Sequence, residues 1–434
     1  SNISTTGKTD VEIRTKRKGS KCSDGSWVTV SWSVEQTPVS GTLDKTPNTA
    51  TVCEGTDVSA TLNAGSGGNG IDEMQYSTYD GVNWTPEQTY TGGSTISTTG
   101  KTRVMIRTRR KAAVCLPSVF REYYWSVEKT PVSGTLSKTP DQAMVCEGAN
   151  VSATLTSGNG GNGVDSTYSR TKSNSAWSSW AAYTSGANIS TTGKTDVEIR
   201  TKRKGTQCSD ASWNTINWTV DQTPVSGTLS KSPDVPHVCE GTVISSTLTP
   251  GAGGNGTDIV QYRHRTDGNW SDWATYNGED LNTTGISDLE VRTYREADQC
   301  DDADPNVVSW IVDPTTVGGT VSGGVEVCYG SNSTLLTLSG ETGSVQRWQY
   351  STDGIAWTDL AGVTETTYTA IDLTEAIWYR AVVKSGVCGE ENSDSTLITV
   401  FSDYHISGVA VYENNPKTPL GGLKIVLKKD GTPL

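Results

Sequence analysis

Apolar and polar residues alternate along this chain in short bursts separated by turn residues. Ala143-Met144-Val145-Cys146, a Glu147-Gly148 turn and Val151-Ser152-Ala153-Thr154-Leu155 predict two short half-buried strands. Asp196 to Lys204 alternates, runs on to Cys208 and returns along Trp213 to Val220, which predicts a long hairpin. Asp267-Gly268 and Asp353-Gly354 sit between strand-like runs, the strongest short hairpin signal. Gly158 to Gly163, paralleled by Gly65 to Gly70 and Gly251 to Gly256, reads as a flexible turn. No lysine-serine pair and no helical period follows it, so it is not a phosphate loop. Turn signals about every ten residues, seven or so strands per block and no helical periodicity predict an all-β fold.

The pattern repeats. Thr37-Pro38-Val39-Ser40-Gly41-Thr42-Leu43 returns from Thr130 to Leu136 and from Thr223 to Leu229, and 131 − 38 and 224 − 131 both equal 93. A looser copy begins at Thr315, and Asn2 to Lys18 recurs letter for letter from Asn188 to Lys204. A period this long makes each unit a complete domain, unlike solenoid repeats of about 20 to 50 residues. The expectation is a tandem array of immunoglobulin-like β-sandwich domains forming an elongated rod. Residues 1–36 would be the C-terminal part of one repeat, followed by repeats at 37–129, 130–222 and 223–314 and a divergent domain at 315–402. In that domain Trp348 takes the place of Met74 and Val260 as the expected core tryptophan. Residues 403–434 resemble the first strands of a transthyretin-like or carboxypeptidase-regulatory-type sandwich, cut at Leu434. No glycine-serine linker separates Val220 from Thr223-Pro224, so stiff joints are expected, at about 35 Å per unit.

Composition narrows the function. A net charge of −13 argues against sequence-independent nucleic-acid binding, which needs positive surface. No run of about twenty apolar residues is present to span a membrane as a helix. Hydrophobic content is only 33%, but 14 tryptophans and 16 tyrosines supply enough buried area per side chain for small cores.

All nine cysteines fall on the repeat: Cys53, Cys146, Cys239 and Cys328 near the start of units, and Cys22, Cys115, Cys208, Cys300 and Cys388 near their ends. Their regularity reads as disulfides in an oxidising, extracellular setting. Pairing within a unit (Cys53 with Cys115, Cys146 with Cys208, Cys239 with Cys300, Cys328 with Cys388) leaves only Cys22, whose partner would lie upstream. Pairing between neighbours (Cys53 with Cys208, Cys146 with Cys300, Cys239 with Cys388) better respects the Cα separation limit of about 7 Å, if the two cysteines of a sandwich sit at opposite ends. Both registers stay open at this point.

No nucleophile elbow, zinc-binding helix motif or dinucleotide fingerprint appears, and His237, His264 and His405 are scattered, so no catalytic residues and no cofactor are assigned. Asp301-Asp302 and Glu390-Glu391 could hold calcium, but neighbours on a strand point to opposite faces. Alternation places Arg200, Lys202 and Lys204 on one face of a hairpin, where they and Trp180 are candidates for contact with an acidic polysaccharide. A solvated hairpin that discourages edge pairing is the simpler explanation of the basic run. Of Trp177 and Trp180, and of Trp270 and Trp273, at least one each is expected in the core. Ser351 to Trp357 resembles the Asp-box of sialidase-like propellers, expected here as a turn device.

The blocks Thr-Pro-Val-Ser-Gly-Thr-Leu-Ser-Lys-Thr-Pro, Val-Cys-Glu-Gly-x-x-Val-Ser-Ala-Thr-Leu, Gly-Gly-Asn-Gly and Ile-Ser-Thr-Thr-Gly-Lys-Thr resemble the repeats of the SprB-type giant gliding-motility adhesins, closely over residues 1 to about 313. The resemblance implies a type IX-secreted filament associated with the outer membrane and moved by the gliding machinery. The function expected is a non-enzymatic stalk. A multivalent carbohydrate-binding array and the accessory domains of a secreted hydrolase are the alternatives.

Overall fold

The computed structural model describes residues 1–401, 426, 428–429 and 432–433, and since only these last five positions of 403–434 are described, the expectation for that stretch lies outside the described residues. Every regular element among them is a strand. Contacts group the chain into two compact units. The first is Ser1–Pro224 with Gly253–Asn255 and Ala297–Asp301, and the second holds Val225–Ala252, Gly256–Glu296 and Asp302 onward.

Module 130–222 shows the architecture. One sheet pairs Thr135–Thr139 with Asn150–Thr156 and then Ile189–Ser190. The facing sheet runs Met144–Cys146, Asn214–Asp221, Asp196–Arg203, Asp165–Ser173, with short edge pieces at Ala176–Trp177 and Ala181–Ala182. Met144–Cys146 lies parallel to Asn214–Asp221, whereas the other pairings are antiparallel. The N-terminal segment thus switches sheets, as in an immunoglobulin-like sandwich. The order of the four main strands of the facing sheet recurs in 37–129, 223–314 and 315–402, while in 37–129 the third strand of the smaller sheet is reduced to the isolated Val58–Ile96 bridge.

Alternation sorts the side chains. Val197, Ile199 and Thr201 point into the core, while Glu198, Arg200 and Lys202 stay on the outer face. Trp218 on the last strand is fully buried among Val145, Val151, Val197 and Ile199, and its indole N–H donates to the Pro140 carbonyl at 3.0 Å. Trp125 and Trp310 repeat this with Pro47 and Pro233. Burying the ring costs little because its one polar atom keeps a partner. The Tyr183 hydroxyl donates to Ala187 O at 2.7 Å and accepts from Ala153 N at 2.8 Å, tying the two sheets together.

In domain 315–402 the core tryptophan is Trp348 on Ser344–Ser351, as expected, with its N–H on Glu365 O at 2.9 Å. Residues 1–36 contribute only the hairpin Asp10–Thr15 with Val28–Ser33, so Trp32, the counterpart of buried Trp125, is 50% exposed.

The glycine-asparagine loops are not the flexible turns the sequence implied. Asp165 accepts from Gly158 N at 3.2 Å and from the Arg203 guanidinium at 2.8 Å, and Arg203 also donates to Gly160 O at 3.0 Å. Both members of that ion pair are nearly buried. Gly161 has φ +57, and a Cβ there would strike the Lys204 carbonyl. Glycine is required because the loop lies flat against other backbone.

Candidate functional site at the inter-module joints

The parallel register sets an acid beside each leading cysteine: Cys53 opposite Glu128, Cys146 opposite Asp221, Cys239 opposite Asp313. Each of these cysteines is bridged to the hairpin-tip cysteine of the following module. The bonds are Cys53–Cys208 and Cys146–Cys300, each with Cα atoms 4.7 Å apart, and Cys239–Cys388 at 4.9 Å. Pairing within a module does not occur. Cys53 lies beside the end of Arg121–Glu128 and Cys115 precedes its start, so an eight-residue strand, about 25 Å long, separates them.

The same acid caps the tip it faces. Glu128 accepts from the backbone N–H groups of Thr206 (2.7 Å), Gln207 and Cys208 (2.9 Å). Asp221 does so for Asp298, Gln299 and Cys300 at 2.7 to 3.1 Å, and Glu35 for Ala113, Val114 and Cys115 at 2.6 to 2.7 Å. A second carboxylate, next to the leading cysteine, holds the linker: Glu147 accepts from Gly193 N at 2.7 Å and Thr223 N at 3.1 Å. Glu54 and Glu240 repeat it, Glu54 adding Lys129 at 3.0 Å. From the other side the glycine loop clasps the linker, Gly68 N on Gln36 O, Gly161 N on Lys129 O and Gly254 N on Gln222 O, at 2.7 to 2.8 Å.

These bonds favour the carboxylate forms. The N–H groups of Cys115, Ala113 and Val114 hold Glu35 below the ordinary glutamate value of 4.5. Burial pushes Glu128 up, but the N–H groups of Cys208, Gln207 and Thr206 outweigh it and its pKa is also lowered. Glu147 is lowered by the Gly193 and Thr223 N–H groups. Charge-assisted bonds to backbone donors are the strong ones, so one carboxylate can fix a whole hairpin tip.

The residues expected to meet a polysaccharide are occupied within the fold. Arg200 lies between Trp180 and Trp213, its guanidinium 3.7 and 4.0 Å from the ring centroids. Arg170 lies 4.3 Å from Trp177 and 4.4 Å from Trp180, so rings and guanidiniums alternate in a ladder. Lys202 and Lys204 both bond Asp210, at 2.6 and 3.0 Å. Lys202 first, then Gly205 N–H and Lys204, hold the Asp210 carboxyl far below the usual carboxylate range. Module 223–314 repeats the ladder with Trp270, Arg263, Trp273 and Arg292. The expectation that one tryptophan of each pair fills the core is therefore corrected. Both pairs stand on the outer face, where stacking on arginine compensates for exposure.

Module 37–129 breaks the ladder. Ser77, Glu87 and Met105 stand where 130–222 has Arg170, Trp180 and Glu198. Trp84, with no arginine over it, packs against Tyr79 and Tyr124 at centroid distances of 5.3 and 6.4 Å, and Trp84 and Tyr124 are both more than 40% exposed.

Asp353 accepts from Ile355 N and Ala356 N at 2.8 Å, and Trp357 stacks on Arg380, so the Asp-box-like stretch makes a turn. Glu390, one of the residues weighed for calcium, is bonded by Arg347 at 2.8 Å. Among the described residues no helix is long and apolar enough to cross a membrane, which does not bear on a β-barrel.

Residues 317–402 match a domain of unknown function, DUF8696. No curated protein matches the chain. Among solved structures, the chain is similar to the N-terminal eight immunoglobulin domains of Down Syndrome Cell Adhesion Molecule, at 10% identity and TM-score 0.36 over 87% of this chain, and it spans 51% of that one. The ICAM-5 D1–D4 ectodomain fragment aligns at 12% identity and TM-score 0.35, over 84% of this chain and all of that one. Mouse nectin-like molecule 4 aligns at 10% and 0.34, over 62% of this chain and 99% of its ectodomain. Likeness at this level carries no function to this chain.

The joint acids and the last-strand tryptophans escaped the sequence reading, although both were visible there. Glu35, Glu128 and Asp221 each stand three residues before the proline of a Thr-Pro pair, and Trp32, Trp125 and Trp218 each precede them by three.

Proposed function

We propose that this chain is a tension-resistant segment of an extracellular adhesive stalk, belonging to a surface adhesin of the gliding-motility type its repeats resemble. In that reading it works without catalysis, and the type IX secretion apparatus and gliding machinery are its partners at the outer membrane. The supporting observation is the interleaving of the bridges: Cys53–Cys208, Cys146–Cys300 and Cys239–Cys388 overlap in sequence. A covalent path from Cys53 to Cys388 crosses two disulfides and only the 239 − 208 = 31 residues between them. Fully extended, that segment spans about 110 Å, against about 1,200 Å for the 388 − 53 = 335 residues of unbridged chain. Such a chain cannot be drawn out module by module. Bridges of this kind persist in oxidising surroundings, which supports a location outside the cell.

Single-molecule pulling tests this. The oxidised chain should lengthen by no more than about 110 Å between Cys53 and Cys388. Successive releases of roughly 300 Å, one per module, would contradict the reading. Reductant should produce those releases.

A second reading, saccharide binding, is favoured at one place only. The exposed Trp84 and Tyr124 rings, with the Tyr124 hydroxyl on Glu122 at 2.6 Å, offer an apolar face with a polar rim. It predicts polysaccharide retention that Trp84→Ala abolishes and Lys202→Ala leaves intact.

A further inference from the structure

We infer that Cys115 is the receiving half of a further inter-module disulfide, its partner a cysteine on a Val-Cys-Glu-Gly strand that pairs in parallel with Ser33, Val34 and Glu35, the cysteine opposite Glu35. Cys115 is not bridged, yet its surroundings match those of cysteines that are. Its Sγ lies 3.7 Å from Glu35 O, as Cys208 Sγ lies 3.4 Å from Glu128 O and Cys300 Sγ 3.4 Å from Asp221 O. Its N–H and the two before it are held by Glu35 as the Cys208 tip is held by Glu128. In all three capped and bridged tips, at Cys208, Cys300 and Cys388, the partner cysteine comes from the position opposite the capping acid, which fixes where the partner of Cys115 must arrive.

The position opposite Glu35 has the matching features. Trp32 is 50% exposed where its counterpart Trp125 is buried, and the counterparts of Ser33, Val34 and Glu35, namely Ser126, Val127 and Glu128, are paired in parallel with Thr51–Cys53. The Cys115 tip is also apolar, with Val114, Leu116 and Val119 each at least 85% exposed, where module 130–222 has Gln207, Ser209 and Ser212. The other two unbridged cysteines lack this setting. Cys328 faces Phe401 in place of the acid and is followed by Tyr329 in place of the linker-holding glutamate. Cys22 is exposed and has no capping acid among the described residues. Forming the bond oxidises two thiols. A small disulfide oxidant such as oxidised glutathione accepts the two electrons and both protons and leaves as two thiols.

The inference does not depend on the stalk reading. If it fails, the three existing bridges and their effect on extension are untouched. The test is a chain in which a copy of residues 37–93 precedes Ser1, so that residues 1–36 continue it as 94–129 continue residue 93. After oxidation in glutathione buffer, non-reducing peptide mapping should recover the added cysteine joined to Cys115, with Trp32 shielded from a fluorescence quencher. Recovery of the added cysteine joined to Cys22, or Cys115 left reduced in a chain whose Trp32 is shielded, overturns the proposal. Should the added segment not fold, the original chain is incubated in the same buffer with the peptide spanning residues 48–57 or a scrambled version. Cys115 should carry the native peptide in several-fold excess over the scrambled one, and equal occupancy overturns the proposal.

Discussion

Module 130–222 and domain 315–402 share a strand order but build their cores and ends differently. The first buries Trp218 on its last strand, the second Trp348 on the strand that pairs across the sheet with Ile377–Lys384. At its far end the first presents Cys146 with Asp221 and Glu147, whereas the second presents Cys328 with Phe401 and Tyr329. Yet domain 315–402 still receives a bridge through Cys388, because the acid that caps that tip, Asp313, belongs to the preceding module. The sandwich tolerates its large ring on either strand. The joint depends on a few specific polar residues, so it can be lost at one end of a domain and kept at the other.

The core half of the comparison carries the largest expected effects. Trp218→Ala and Trp348→Ala should each destabilise their own module by about 3–5 kcal/mol in denaturant unfolding. A loss under about 1 kcal/mol at either site would mean that ring is not central to its core.

Removing the Cys53–Cys208 bridge with paired serines should cost about 2–4 kcal/mol, while Cys328→Ser should cost nothing measurable. The bridges also predict a topological result. One proteolytic nick anywhere between Cys53 and Cys388 should leave a single band on a non-reducing gel and two after reduction.

Arg200→Ala should cost roughly 1–2 kcal/mol by removing the filling of the Trp180–Trp213 sandwich. Among the described residues, domain 315–402 has one such contact, Trp357 on Arg380, and should be correspondingly less sensitive there.

The smallest effects concern pH. Glu128 and Glu147 titrate lower in the folded chain than the ordinary 4.5, so their contribution is complete above that value. It is lost as pH falls through the depressed folded values. A reduced chain should therefore lose joint stability below about pH 4.5, and Glu128→Gln should mimic part of that loss, roughly 1 kcal/mol after solvent screening. The far end of 315–402, with Phe401 and Tyr329, should show no such dependence.

The architecture was legible because alternation in stretches such as Asp196–Arg203 and the 93-residue period are local signals that one sequence displays in full. The distance argument on the cysteines pointed toward the between-module register, since strand length separates Cys53 from Cys115. What stayed hidden depends on neighbours distant in sequence. Arg200 and Lys202 looked like free basic groups because Trp180, Trp213 and Asp210 reach them only after the hairpin closes. Gly161 looked flexible because the Lys204 carbonyl that demands its missing Cβ lies over forty residues away.

The central claim is that neighbouring sandwiches are covalently joined across their joints, and non-reducing peptide mapping of the intact chain tests it most directly. It should recover Cys53 with Cys208, Cys146 with Cys300 and Cys239 with Cys388. Recovery of Cys146 with Cys208 would contradict it.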